Sequence, residues 1–137
     1  FAIVSLSACS GSDKKNDPTP EGKTAKITVS FSGMEPDDDI LFQCHAGRMD
    51  NTKTFWKLDG TTQENQSHMT LSEDEATQGK SYVYETVLPV QILQVSLSGQ
   101  NFGTAPFTAN VKVEVNGKVE MDLHQTVTTT FNKDWDY

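Results

Sequence analysis

Seven carboxylates in two short clusters are the residues of this chain best placed to do chemistry. Glu35, Asp37, Asp38 and Asp39 fall within one stretch, and Glu73, Asp74 and Glu75 are consecutive. Hard cations such as Ca²⁺ take about six to eight oxygen ligands, and carboxylates clustered on neighbouring loops supply them. The spacing matches no EF-hand loop, which needs a central glycine and a distal glutamate. The alternative role is solvated loop charge that keeps the domain soluble and blunts strand edges.

His45, His68 and His124 are candidate zinc ligands only if they converge with Cys44, and no H-x-x-x-H spacing brings two of them together. Cys44 and His45 are adjacent in sequence, residue types that pair as nucleophile and base. Neighbours on a strand point to opposite faces, however, which turns the imidazole away from the thiol. No G-x-S-x-G, phosphate-binding loop or dinucleotide fingerprint occurs. Asp37 with Glu73 mimics a glycosidase pair, but any acidic protein offers such pairs. The expectation is a protein without enzymatic activity.

Aromatic residues are the better binding candidates. Phe55 and Trp56 are adjacent, so one of them is expected to face outward from a strand. Trp56, Phe102, Trp135 and Tyr137 are the rings that a glycan or protein partner would meet. Trp135 and Tyr137 lie among Asn132, Lys133, Asp134 and Asp136. They either dock the chain end onto the domain or belong to an exposed contact surface.

The elements that must carry these residues are β-strands. Ile27, Val29 and Phe31 alternate with polar residues, which predicts a half-buried first strand. Ile40, Phe42 and Cys44 alternate with Leu41 and Gln43, a pattern that allows burial on both faces. A third strand is expected near residues 54–58, closed by the turn dipeptide Asp59-Gly60, with residues 61–67 as a long loop. Met69 and Leu71 mark a short strand. Tyr82, Tyr84, Thr86 and Leu88 form another alternating face, ended by Pro89. Leu93, Val95 and Leu97 follow, then a Gly-containing loop over 98–106.

Val111 and Val113 on one side of Asn116-Gly117, and Val119, Met121 and Leu123 on the other, predict a hairpin. A two-residue turn would set Val113 against Glu120. A three-residue loop over 115–117 instead aligns Val113 with Val119 and Val111 with Met121, and pairs Glu114 with Lys118. Register follows the buried face, so the three-residue loop is expected. About seven or eight short strands without helical periodicity predict an all-β, antiparallel, immunoglobulin-like sandwich. The Cys…Trp…Cys framework of true immunoglobulin domains is absent.

Nineteen acidic against 11 basic residues give a net charge of −8. That balance argues against nucleic acid, whose binding depends on clustered Lys and Arg. The chain has two cysteines, Cys9 and Cys44, and Cys44 is expected to be a buried, inert thiol.

The first nine residues, Phe-Ala-Ile-Val-Ser-Leu-Ser-Ala-Cys, resemble the end of a bacterial lipoprotein signal peptide. An apolar run leads to Leu6-Ser7-Ala8 and then to Cys9. The resemblance implies a remnant over 1–8 that is cleaved, acylation of Cys9, and a flexible polar tether over 9–23 ahead of a domain at 24–137. It implies a membrane attachment through lipid. Ser10 after the cysteine implies sorting to the outer membrane, with periplasmic or cell-surface orientation left open. The Ser-Asp-Lys-Lys-Asn-Asp run resembles export tags of Bacteroidetes lipoproteins.

Residues 93–119, from Leu-Gln-Val-Ser-Leu through Val-Asn-Gly-Lys-Val, resemble the closing strands of small membrane-anchored immunoglobulin-like proteins, among them the mycobacterial membrane protein small family. The reading of the whole chain is a lipid-anchored envelope protein that presents a β-sandwich to a glycan or protein partner. The alternative is an accessory subunit of an envelope transporter or assembly, as the second resemblance implies.

Overall fold

A computed structural model describes residues 21–137; Cys9 and the expected signal remnant and most of the tether lie outside the described residues. Ten strands form two antiparallel sheets packed face to face. The strands are β1 (Ala25–Ser32), β2 (Asp39–Gly47), β3 (Trp56–Leu58), β4 (Thr61–Gln63), β5 (His68–Ser72), β6 (Ser81–Thr86), β7 (Ile92–Gln100), β8 (Phe107–Val115), β9 (Lys118–Val127) and β10 (Thr130–Asp136). The six-stranded sheet runs β4-β3-β6-β1-β8-β9, and the four-stranded sheet runs β10-β7-β2-β5. The architecture is the expected β-sandwich. Nearly every connection carries the chain from one sheet to the other.

Side-chain alternation builds the core between the layers. Ile27, Val29 and Phe31 of β1 and Val111 and Val113 of β8 face Ile40, Phe42 and Cys44 of β2 and Leu93, Val95 and Leu97 of β7, all buried. Phe42 and Tyr84 meet across the interface with ring centroids 5.2 Å apart. β2 is buried on one face only. Leu41, Gln43 and His45 are part-exposed on the other face, which corrects the two-sided burial that the sequence allowed.

The β8–β9 hairpin also differs from expectation. Asn116 (φ 51°) and Gly117 (φ 77°) are both left-handed, the requirement of a two-residue type I′ turn, and Val115 pairs with Lys118. The apolar residues are brought into line one step later. A bulge shifts the register so that Glu114 faces Val119 while Val113 faces Met121 and Val111 faces Leu123. The expected pairs Val113–Val119, Val111–Met121 and Glu114–Lys118 do not form; Val113 and Val111 meet apolar partners two residues further along β9, with Glu120 as the extra residue rather than a longer loop. Asn116 is tied down as well: its side-chain Oδ1 accepts from the Thr24 backbone N–H at 2.9 Å.

The polar segment after Asp59-Gly60 is not all loop, because Thr61–Gln63 folds back as β4 against β3. Asp59 and Gly60 are both left-handed, so the dipeptide makes a tight hairpin turn rather than ending the sheet.

Candidate functional site

The outward residues of the four-stranded sheet form rows across its strands, fixed by the pairing register. Asp136, Gln94, His45 and His68 make one row, and Asp134, Ser96, Gln43 and Thr70 the next. Asn132, Ser98, Leu41 and Ser72 follow, and then Thr130, Gln100 and Asp39. Steps of two residues at 3.3–3.4 Å rise make this face about 20 Å long. An open trough of about 510 Å³ lies over the first two rows. A second depression of about 410 Å³ lies over the last two and includes Glu73.

Hydrogen bonds set the side chains of the first trough. Gln94 Nε2 donates to Asp136 Oδ1 at 2.8 Å, which turns its Oε1 toward His45 Nδ1, 3.5 Å away. In that contact the imidazole nitrogen is the donor, because an amide oxygen only accepts. Ser96 Oγ donates to Gln43 Oε1 at 3.4 Å, and Gln43 Nε2 lies 3.2 Å from His68 Nε2. An amide nitrogen only donates, so in this contact His68 Nε2 is the acceptor. The two imidazoles stand directly opposite each other on β2 and β5, with ring centroids 6.4 Å apart and near-perpendicular planes.

The acidic cluster on the β1–β2 loop has a different job. Asp38 is only 2% exposed. Its Oδ1 accepts from the backbone N–H of Phe102 and of Gly103, each at 3.0 Å, and its Oδ2 accepts from Glu35 N–H at 2.7 Å. Burial pushes this carboxyl up, but the three backbone donors outweigh it and hold the group below its ordinary value. Glu35 accepts from the backbone N–H of Ala105 (3.2 Å) and of Thr104, and from Thr104 Oγ1 at 3.0 Å. Those bonds, Ala105's first, hold its carboxyl below the ordinary glutamate value.

A Cβ at Gly103 would collide with the Glu35 carboxylate where it now sits, so a side chain there would displace that carboxylate from the loop. Glu35 and Asp38 thus clamp the β7–β8 loop to the start of β2. Asp37 and Asp39 remain exposed. Glu75 caps its own turn by accepting from Ser72 N–H at 3.1 Å, Asp74 is exposed, and Glu73 shares the second depression with Asp39. Among the described residues, no three His, Cys, Asp or Glu side chains converge as a metal-holding group.

The candidate rings are scattered rather than gathered. Trp56 is 0% exposed, which corrects the expectation that it meets a partner. It faces the interior, and its Nε1 donates to the Ser67 carbonyl at 3.1 Å, so both the ring and its polar handle are satisfied inside. Phe55 is buried too. It precedes β3 and escapes strand alternation, with its N–H bonded to Gln66 O and its carbonyl accepting from Val87 N–H. Trp135 and Tyr137 are part-buried against the core, where Trp135 seats β10. Phe102 is 59% exposed on the clamped loop.

Cys44 is free and buried. Burial pushes its thiol well above the ordinary value, against a smaller opposing effect of the Met69 backbone, so it is no nucleophile at neutral pH. His124 stands apart on the other sheet, bonded to Asn110 Oδ1 at 2.7 Å. Sequence reasoning missed the trough because its walls come from four strands distant in the chain. The available signal was the polar alternation of Gln43 and His45 with that of Gln94 and Ser96.

The architecture is shared with solved structures. No family model matches the chain, and no curated protein matches it. A crystal structure of a DUF4425 family protein from Bacteroides ovatus superposes with a TM-score of 0.60 at 14% identity, covering 85% of this chain and 94% of that one. An NMR structure of the calcium-bound form of a protein from Parabacteroides distasonis gives 0.65 at 19% identity, covering 89% and 98%. A crystal structure of a DUF4425 domain of unknown function from Bacteroides vulgatus gives 0.61 at 11% identity, covering 85% and 94%. At these identities the likeness is one of fold.

Proposed function

We propose that the chain is a non-enzymatic binding module of the cell envelope, anchored in the outer membrane by lipid on Cys9, whose ligand is a neutral glycan lying along the outer face of the four-stranded sheet. The observation that carries this reading is the composition of that face. Its rows offer amides, hydroxyls, imidazoles and carboxylates and no lysine or arginine; the apolar side chains are Leu41 and, beside Gly47 at the start of β7 and so at one end of the face, Ile92. A protein partner would need an apolar centre to the contact, and a nucleic acid or an anionic glycan would need cations. A hydroxyl-rich neutral polymer needs groups that both donate and accept, and Gln43, Gln94 and Ser96 do so.

The test is calorimetry of the full chain against a panel of soluble neutral polysaccharides. Saturable binding is expected, with Gln43→Ala and Gln94→Ala each weakening it roughly tenfold, the loss of about one hydrogen bond. Absence of heat across the panel overturns the reading.

A second reading concerns Ca²⁺, and the calcium-bound form of the Parabacteroides distasonis neighbour favours it. Glu35 and Asp38 already accept backbone donors. The free carboxylates of Asp39 and Glu73, which share the second depression, are the better ligands, with water completing the shell. Calcium titration of the full chain should then give heat that Asp39→Ala removes; an unchanged titration in that variant rejects the assignment.

A further inference from the structure

The His45–His68 pair has a geometry that the glycan reading does not use. Ala46 N–H donates to Ser67 O at 2.9 Å, which makes Ala46 and Ser67 a hydrogen-bonded pair. The adjoining His45 and His68 are therefore a non-hydrogen-bonded pair, the position where facing side chains stand closest, with Cα atoms about 4.5 Å apart. We propose that His45 and His68 chelate one borderline divalent cation, Zn²⁺ or Cu²⁺, between them on the outer face of the sheet.

Imidazole suits these metals. A tetrahedral ion with metal–nitrogen bonds of about 2.0–2.1 Å holds two imidazole centroids about 5 Å apart. The observed 6.4 Å closes by small rotations of two side chains that reach solvent. The groups behind the pair fit the role. Metal-bound histidine commonly donates its other N–H to a fixed acceptor, which sets the tautomer and the ring orientation. His45 has that arrangement: Nδ1 faces Gln94 Oε1, and Gln94 is itself held by Asp136, which leaves Nε2 of His45 for the metal. At His68 the lone pair of Nε2 is held by the Gln43 amide, a neutral donor that a cation displaces. With no third His, Cys, Asp or Glu in the group among the described residues, water completes the coordination.

Calorimetric titration of the full chain with ZnCl₂ tests this without reference to any glycan. One saturable site is expected, weakened at least tenfold by His45→Ala and by His68→Ala and unchanged by His124→Ala. Gln94→Ala should weaken it by about tenfold or more, as loss of an outer hydrogen-bond partner does, whereas Gln43→Ala should leave it unchanged or tighter because it removes the competing amide. Absence of zinc binding at millimolar metal, or binding that survives either histidine substitution, overturns the proposal. Neither result bears on glycan binding, which is read in metal-free buffer.

Discussion

On the outer face of the six-stranded sheet, charges stand opposite residues of the other sign. Lys26 faces Glu85 on one side and Glu114 on the other, Lys57 faces Glu85, and Lys112 faces Asp122. On the outer face of the four-stranded sheet the rows contain no cation, and their acids gather on β10 and at Asp39. The first face answers its own charges. The second is linked by amides and hydroxyls through bonds of 2.8–3.5 Å, several of them long, so a ligand can replace them at small cost. The two faces differ in what their polar groups are already doing, not in how polar they are.

This contrast can be broken by experiment, and the largest effect is expected at Asp38. Its carboxylate ties the start of β2 to the end of β7, the two central strands of the four-stranded sheet. Asp38→Ala leaves three backbone N–H groups without their acceptor and should cost about 1–3 kcal/mol in urea unfolding. Hydrogen exchange should quicken in β2 and β7 before β1 and β8. Equal loosening of both sheets would mean that the clamp does not serve one face.

The same site sets an acid limb. Because the folded carboxyls of Asp38 and Glu35 lie below their ordinary values, their stabilisation is complete above those values and drains away as pH falls through the lowered ones. Wild-type stability should therefore decline below about pH 4, with a shallower decline in the Asp38 variant. The smallest effect is expected on the other face. Lys112→Glu sets a like charge opposite Asp122 and should cost roughly 0.2–1 kcal/mol, without altering glycan or zinc binding. A change in either binding would show that the two faces are coupled.

How far the sequence reveals this molecule depends on the range of the physics involved. β1, β7 and β8 are legible because burial on one side imposes period two on the residues themselves. β4 was hidden because an edge strand of Thr61, Thr62 and Gln63 buries no side chain and exists through backbone pairing alone. The bulge at Glu114 was hidden because two solutions, a longer loop or a shifted ladder, meet the same facial requirement. Trp56 misled because adjacent residues alternate only where both belong to the strand, and Phe55 does not. The trough was least legible of all. His45 and His68 are far apart in the chain and meet only through the β2–β5 register, and two of the seven clustered acids, Glu35 and Asp38, prove to be acceptors for a distant loop.

The habit of switching sheets at almost every connection has a kinetic consequence. Ile27 of β1 hydrogen-bonds into the sheet beside Tyr84 on one side and Val113 on the other, so the first strand made waits for nearly the last. Apart from the β3–β4 and β8–β9 hairpins, sequence neighbours do not pair. Loop closure must therefore precede most of the favourable contacts, the condition that slows folding. β1 gains its second neighbour only once β8 has been made, whereas β2, β5 and β7 of the four-stranded sheet can pair before it.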